Sequence, residues 1–332
     1  MHPGLVMPDI DVAAGAEVLR SGELVAFPTE TVYGLGADAS NPAAVAKIFA
    51  MKGRPADHPL IVHLAETQHL CDFAVEIPAA ARKLAAAFWP GPLTMILRKS
   101  PAVPAEVTGG QETVGIRVPS HPLARALLRE FNRVAGSTRG VAAPSANRFG
   151  HVSPTSAAHV RDEFGPELAI VDGEDCPVGL ESTIVDLSRG EAVLLRPGAI
   201  TRSDLESTLT EPVRARDAQA PRASGTLAAH YAPRTVLRLV DARDIERLAR
   251  ADEAAVLATR PAPAGLRVAA WIEASPDPAR YAHDLYANLR RLDASGARHI
   301  LVEAPPAIAA WEAINDRLQR AASADPFLDD EP

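Results

Sequence analysis

Short continuous apolar runs alternate along this chain with stretches whose apolar positions recur at helical spacing. Residues 11–21 (DVAAGAEVLRS) show the helical spacing, and Gly22 supplies a C-terminal stop. Residues 24–27 (LVAF) are a short apolar run of the kind a buried strand needs, ended by Pro28 and a polar loop over 28–31. Asn41-Pro42 opens a second helix, with Val45, Ile48 and Phe49 at helical spacing and its end at 52–55. Further strands are predicted at 60–64, 93–97, 114–118 and 141–143, and helices over 79–88, over 122–131 and from about Thr155. Residues 182–187 and 192–196 read as a strand pair turning through Ser188-Arg189-Gly190. Simple βαβ alternation fails in places, so the pattern predicts an α/β chain with an α+β-like mixed, twisted sheet rather than a purely parallel one.

Between residues 201 and 233 the character changes to polar, with Pro, Ala and Arg prominent, and this stretch reads as a linker. Beyond it, strands at 236–240, 254–258 and 299–303 alternate with helices at 244–251, 280–294 and 307–322. That is a smaller, regular, Rossmann-like α/β unit. The expected plan is a larger domain over 9–200, a linker over 201–234 and a C-terminal domain over 235–325, with a frayed acidic tail from Asp325.

A length of 332 residues suits two domains. Hydrophobic residues reach 47% but aromatic ones only 5%, so aliphatic side chains and alanine must fill the core. The net charge of -8 argues against a surface that binds nucleic acid broadly, while leaving room for a local basic site. Cys71 and Cys176 lie far apart without a CxxC, which disfavours a zinc finger or disulfide scaffold and fits a reducing cytosol. The first residues lack a basic stretch followed by an apolar one, so no signal peptide is expected. No apolar stretch approaches the ~20 residues of a membrane span, and the expected location is cytoplasmic.

Polar clusters fall at the ends of the predicted strands and helices, where α/β sheets carry their sites. In residues 28–36 (PTETVYGLG) two threonines, a glutamate and two glycines follow a strand; close backbone approach to a ligand and an ordinary turn both fit. Lys52 and Arg54 bracket Gly53 at a helix end, either to offset the helix dipole or to clamp a phosphate. His63 lies on an apolar strand, more in the manner of a satisfied core residue. Arg117 also lies within an apolar strand, which is costly unless a carboxylate or phosphate pairs with it, and that partner is structural or ligand-borne. Residues 142–150 (AAPSANRFG), with Ser153, crowd small hydroxyl and amide groups into a loop suited to holding phosphate or to capping the next helix. Ser182, Arg196 and the pair His230-Tyr231 complete the set; the linker carrying that pair is either a lid folded over the site or an inert tether. Walker A, GxGxxG, HExxH and GxSxG patterns are absent from the sequence.

Taken in order, PTETVYGLG (28–36), KGRP (52–55), WPGPLT (89–94), VGIRVP (114–119), APSAN (143–147), ESTIVD (181–186) and LRPGAI (195–200) resemble the YrdC/Sua family of threonylcarbamoyl-AMP synthases. HYAP (230–233) resembles the longer, two-domain type with a C-terminal Sua domain. The resemblance implies a YrdC-like catalytic domain over about 9–200. It also implies synthesis of threonylcarbamoyl-AMP and pyrophosphate from L-threonine, bicarbonate (or CO2) and ATP, a nucleotidyltransferase reaction. The product would pass to a separate tRNA threonylcarbamoyl transferase, with weak or transient tRNA contact and no membrane involvement. The catalytic signature maps onto Lys52, Arg54, Ser145 and Asn147. ATP would be held by Arg54, His58, Thr113, Ser145, Ser153, Arg196 and Tyr231, with Mg2+ bridging its phosphates and no protein metal ligand assigned. Threonine would be held by Thr31, His63, Arg117, Ser182 and the Ala143 backbone. Position 58 is often Asn in the family, so His58 departs from the pattern.

Three other readings remain open on the sequence. A carbamoyl-adenylating enzyme of hydrogenase maturation shares such a domain but is longer and rich in zinc-finger cysteines. An RNA-binding module would need a concave basic face. An ATP-dependent ligase for another amino acid would keep the phosphate clamp and change the second substrate.

Overall fold

The structure is a computed structural model that describes residues 9–251 and 253–323. The chain forms two compact units. The first contains the residues up to Phe149 together with Pro154–Pro177 and Glu181–Thr226; the second contains Gly150–Ser153, Val178–Leu180 and the residues from Leu227 on.

The first unit begins with α1 (Val12–Arg20), whose first turn is capped by the Asp11 carboxylate accepting from Ala14 N. After it come β1 (Val25–Phe27), β2 (Gly34–Asp38) and α2 (Pro42–Lys52). Asn41 caps α2 and Gly53 ends it at φ +64°, a conformation glycine adopts freely. There follow β3 (Ile61–His63), a 3-10 turn (Thr67–His69), α3 (Leu70–Phe73), α4 (Ala79–Phe88), β4 (Leu93–Arg98), α5 (Ala105–Thr108) and β5 (Thr113–Arg117). The unit continues with α6 (Pro122–Ala135), β6 (Val141–Ala142), α7 (Ala157–Phe164), β7 (Ala169–Ile170), β8 (Thr183–Asp186), β9 (Val193–Arg196), α8 (Arg202–Leu209) and β10 (Arg214–Ala215).

Its ten strands form one sheet in the order β10-β9-β8-β4-β5-β3-β6-β2-β1-β7. Pairing is mixed, as the sequence pattern predicted: β3 runs parallel to β5 and β4 to β8, whereas β4 runs antiparallel to β5 and β8 to β9. These directions bring the end of β5, the start of β4, the start of β8 and the end of β9 to one edge of the sheet. Arg117, Gly91, Ser182 and Arg196 therefore meet there, although they are remote in sequence. One core cluster includes Leu35, Val45, Ile48, Leu84, Met95, Ile116 and Val185. Another includes Leu19, Phe27, Leu127, Leu128 and Phe131, joining β1 to α1 and α6.

Several elements differ from the sequence expectation. Residues 34–38, to which the sequence pattern assigned no strand, form β2; two glycines mask its strand character. Gly36 is required there, because a Cβ would lie 2.8 Å from both Phe27 Cε1 and Val141 Cγ1. The span 201–234, read as a linker, carries α8 and β10 before its coil. Thr201 and Asp204 form a reciprocal capping box at the start of α8. The Ala220 and Ala223 side chains then pack on Ile61, Ile96, Ile184, Val193 and Leu195.

The second unit contains β11 (Val236–Val240), α9 (Ile245–Ala251), β12 (Ala255–Ala258), β13 (Ala270–Glu273), α10 (Pro278–Asp293) and β14 (His299–Glu303). A 3-10 turn (Ala309–Trp311) then leads into α11 (Glu312–Ala322). Its four strands are all parallel, in the order β11-β14-β12-β13, in keeping with the predicted Rossmann-like unit. β13 escaped the sequence pattern because its residues are only half-buried and carry no alternation. The acidic tail lies outside the described residues.

Candidate active site

Lys52 and the SAN loop are fastened to each other. Lys52 ends α2 and is buried. Its ammonium donates to the carbonyl of Ser145 at 2.6 Å and to that of Asn147. The Lys52 carbonyl accepts from Phe149 N at 2.9 Å. Burial pushes the Lys52 ammonium well below its usual range; neighbouring Arg54 adds to the shift and Glu163 opposes it. The loop is also stitched to β2: Ala146 N donates to Tyr33 O at 2.8 Å and Leu35 N to Pro144 O at 2.8 Å. In this structure Lys52 thus shapes the loop, and half-buried Ser145 and buried Asn147 are presented by it.

Arg54 lies just past the αL turn at Gly53. Its Nη2 donates to Pro59 O at 3.0 Å and to Ser224 Oγ at 3.3 Å, and its guanidinium lies over the Phe149 ring, 5.7 Å from the centroid. His58 meets the same ring edge-on at 5.3 Å. Burial, with the Arg54 charge second, lowers the His58 pKa. The 57–59 segment can approach so closely because Gly109 has no side chain: a Cβ there would lie 2.1 Å from Asp57 O. Thr113 opens β5 nearby and, with Pro59, Ile61, Ile184 and residues 222–224, lines a small cavity of about 10 Å³.

Arg196, at the end of β9, turns toward the start of β8. Its Nε donates to Ser182 O at 3.0 Å, its Nη2 to Ser182 Oγ at 3.1 Å and its Nη1 to Ser224 O at 2.9 Å. Ser182 Oγ also bonds Thr94 Oγ1 at 2.7 Å. Ser224 thus contacts both arginines, a role that nothing in the spacing of its sequence neighbours singles out.

Arg117 ends β5 opposite His63 of β3. Its Nη2 lies 2.7 Å from Glu30 Oε1, its Nη1 donates to Thr31 Oγ1 at 2.9 Å and its Nε donates to Gly91 O at 3.3 Å. The carboxylate that a strand-borne arginine demands is therefore present in the chain, supplied by Glu30 from the loop after β1. Sequence reasoning had marked that loop but given Glu30 no role. His63 is buried beside this pair, and burial followed by the Arg117 charge lowers its pKa to about 3, so it stays neutral near pH 7. Ala143 N donates to Ile61 O at 2.9 Å, which brings the APSAN loop to β3.

Hydrogen bonds and two peptide links (Gly91-Pro92 and Ser182-Thr183) join these residues in one run along the first unit. Arg117 bonds Gly91 O, and Thr183 N bonds the adjacent Pro92 O at 3.0 Å. Ser182 then bonds Arg196, Arg196 bonds Ser224, and Ser224 bonds Arg54. Twelve of the fourteen residues singled out from the sequence lie in this unit. Ser153 and Tyr231 belong to the second. There Tyr231, buried at φ +63°, stacks on Tyr286 at 5.8 Å and lies under Arg317 at 5.2 Å, with His230 edge-on at 4.1 Å. Ala232 N donates to Gly150 O at 2.8 Å, and Ser153 is buried in the same short loop.

The mixed α/β fold thus gathers arginines and hydroxyls at one end of the strands of its first unit. The family model described as telomere recombination matches residues 17–198, and the model described as threonylcarbamoyl-AMP synthase, C-terminal domain, matches residues 200–323. The threonylcarbamoyl-AMP synthase of Pyrococcus abyssi is 46% identical over 238 residues, covering 70% of this chain and 68% of that protein. That of Bacillus subtilis is 39% identical over 329 residues, covering 95% and 93%. A solved structure of P. abyssi Sua5 complexed with L-threonine superposes with a TM-score of 0.86 at 37% identity, covering 96% of each chain. The chain belongs to the threonylcarbamoyl-AMP synthase family.

Proposed function

We propose that this chain is an L-threonylcarbamoyladenylate synthase, a nucleotidyltransferase that converts L-threonine, bicarbonate or CO2, and ATP into threonylcarbamoyl-AMP and pyrophosphate, with water also released when bicarbonate supplies the carbon. The observation that carries the reading is the continuous run from Arg117 and Thr31, through Ser182 and Arg196, to Arg54. On this reading Arg117 is the carboxylate-binding group and Arg54 and Arg196 are the phosphate-binding groups of one site in that unit.

The chemistry asks for that arrangement. A carbamate is a poor acyl donor until one of its oxygens carries AMP. The enzyme must hold the amino acid so that its carbamate oxygen meets the α-phosphate with pyrophosphate leaving in line. Positioning and charge neutralisation carry most of such a reaction. Arg117 and Thr31 are assigned to threonine, with neutral His63, the Ala143 backbone and Ser182 around it. Arg54 and Arg196 are assigned to the phosphates, with Ser145, Asn147, Thr113 and His58 beside them. Lys52 holds the SAN loop in shape for that task. Mg2+ would arrive with ATP and offset the negative charge of its phosphates, and no residue of the chain is assigned as its ligand. Among the described residues no group of three or more His, Cys, Asp or Glu is placed to hold a metal ion.

The adenylate is an activated donor that water would destroy, so transfer to a tRNA-modifying transferase is the expected fate. A cytoplasmic setting suits that substrate and the free thiols of Cys71 and Cys176. Among the described residues no helix is long and apolar enough to cross a membrane. The direct test is pyrophosphate release from ATP, measured with threonine and bicarbonate each supplied and omitted.

A further inference from the structure

Arg117 is buried on a strand, and a guanidinium there is tolerated only with a counter-charge and full hydrogen bonding. Glu30 supplies the charge and is itself held at both ends. Its Oε1 lies 2.7 Å from Arg117 Nη2, while its Oε2 accepts from the backbone N–H of Ser120 at 3.1 Å. Ser120 follows β5 by three residues, so one carboxylate grips the segment by both a side chain and the main chain. The neighbouring Thr31 takes Nη1, and Gly91 O takes Nε. Nε and Nη1 are thus hydrogen-bonded, and Nη2 faces the Glu30 carboxylate as an ion pair. Burial alone would raise the Glu30 carboxyl, but the Arg117 charge and hydrogen bond, with backbone N–H groups, outweigh it and keep the group ionised.

We propose that Glu30 is a positioning residue of the amino-acid subsite, whose carboxylate sets the plane of the Arg117 guanidinium and so aims its remaining N–H groups at the α-carboxylate of the substrate. Glu30 acts through Arg117 and touches no reacting atom. The inference rests on the reading that Arg117 receives the threonine carboxylate. A guanidinium has five N–H donors; the hydrogen bonds to Thr31 and Gly91 use two of them, and Nη2 faces Glu30 as an ion pair. A planar fork recognises a carboxylate well only when its orientation is set beforehand. Glutamine at position 30 could still accept from Arg117 through its amide oxygen, but its amide nitrogen would then face the Ser120 N–H, donor against donor. The grip on one side is lost and the counter-charge with it.

The test compares Glu30→Gln and Glu30→Asp with the unaltered chain, by calorimetric titration of L-threonine and of a non-hydrolysable ATP analogue. Steady-state kinetics accompany it. In Glu30→Gln the threonine Kd and KM rise about tenfold or more, while the Kd for the ATP analogue and the kcat at saturating threonine stay within about threefold. Glu30→Asp, which keeps the charge on a shorter arm, falls between the two. Threonine affinity within about twofold of the unaltered chain in Glu30→Gln would overturn the proposal. So would equal losses for both ligands, the mark of a merely structural role, and the Asp variant carries this comparison if Gln fails to fold. Failure of the unaltered chain to bind threonine would instead overturn the threonine reading itself.

Discussion

At the residue scale, the cations near this site divide by what they already hold. Lys52 donates its ammonium to the Ser145 and Asn147 carbonyls, whereas Arg54 lies past the end of α2 in a loop and reaches Pro59 O at 3.0 Å and Ser224 Oγ at 3.3 Å. Arg54→Ala is therefore expected to leave the circular dichroism spectrum unchanged. It should lower kcat/KM for ATP by 10²–10³-fold, roughly 3–4 kcal/mol of transition-state stabilisation. His63 makes a second prediction. Its folded pKa, about 3, lies below the ordinary value of 6.5 because of burial and then Arg117. The unfolded chain takes up a proton near pH 6.5 that the folded chain refuses, so stability present above that pH is lost as pH falls toward 3. Between pH 7 and pH 5 this group alone removes ~2 kcal/mol of unfolding free energy. Denaturant unfolding at the two pH values measures it, and His63→Gln is expected to flatten the difference by that amount.

At the scale of elements, helices with clear ends were legible, and so were short apolar strands such as β1 and β3, whereas β2, β7 and β13 were not. The sequence pattern placed α4 over 79–88, and the structure has Ala79–Phe88. Asn41-Pro42 marked the start of α2 correctly, because an Asn cap and a Pro in the first turn each satisfy a definite backbone need. β2, β7 and β13 carry too few residues, or too much glycine, for a periodicity to show; the sheet around them supplies their hydrogen bonds. α8 was legible in principle, since Thr201 and Asp204 have the spacing of a capping box, but the Pro- and Arg-rich residues after it coloured the reading of the whole span. The loop that carries His58 and Pro59 depends on α5 ending at Gly109, which sits at φ +57° against Asp57 O. Gly109→Ala meets both a left-handed conformation and a backbone clash, and is expected to cost ~1–3 kcal/mol of stability. Because Arg54 and Ser224 both bond Pro59 O, the same variant should raise the KM for ATP more than that for threonine. Thermal unfolding with steady-state kinetics checks the two effects.

At the scale of the whole molecule, two units with different sheets follow from one sequence: a ten-stranded mixed sheet and a four-stranded parallel one. The site was legible only through the company its motifs keep. Spacing alone left Lys52-Gly53-Arg54 as either a helix end or a phosphate clamp, and it could not pair Arg117 with Glu30, because the two meet only after β1 and β5 are placed in the sheet. The run of contacts from Arg117 to Arg54 joins these residues in one unit, and the proposal is that they form adjoining subsites for an amino acid and a nucleotide. Pyrophosphate release by the full-length protein, with ATP and Mg2+ present, tests it most directly. The account predicts release that requires both L-threonine and bicarbonate and that serine or glycine supports poorly. Release indifferent to bicarbonate, or equally fast with serine or glycine in place of threonine, would contradict it.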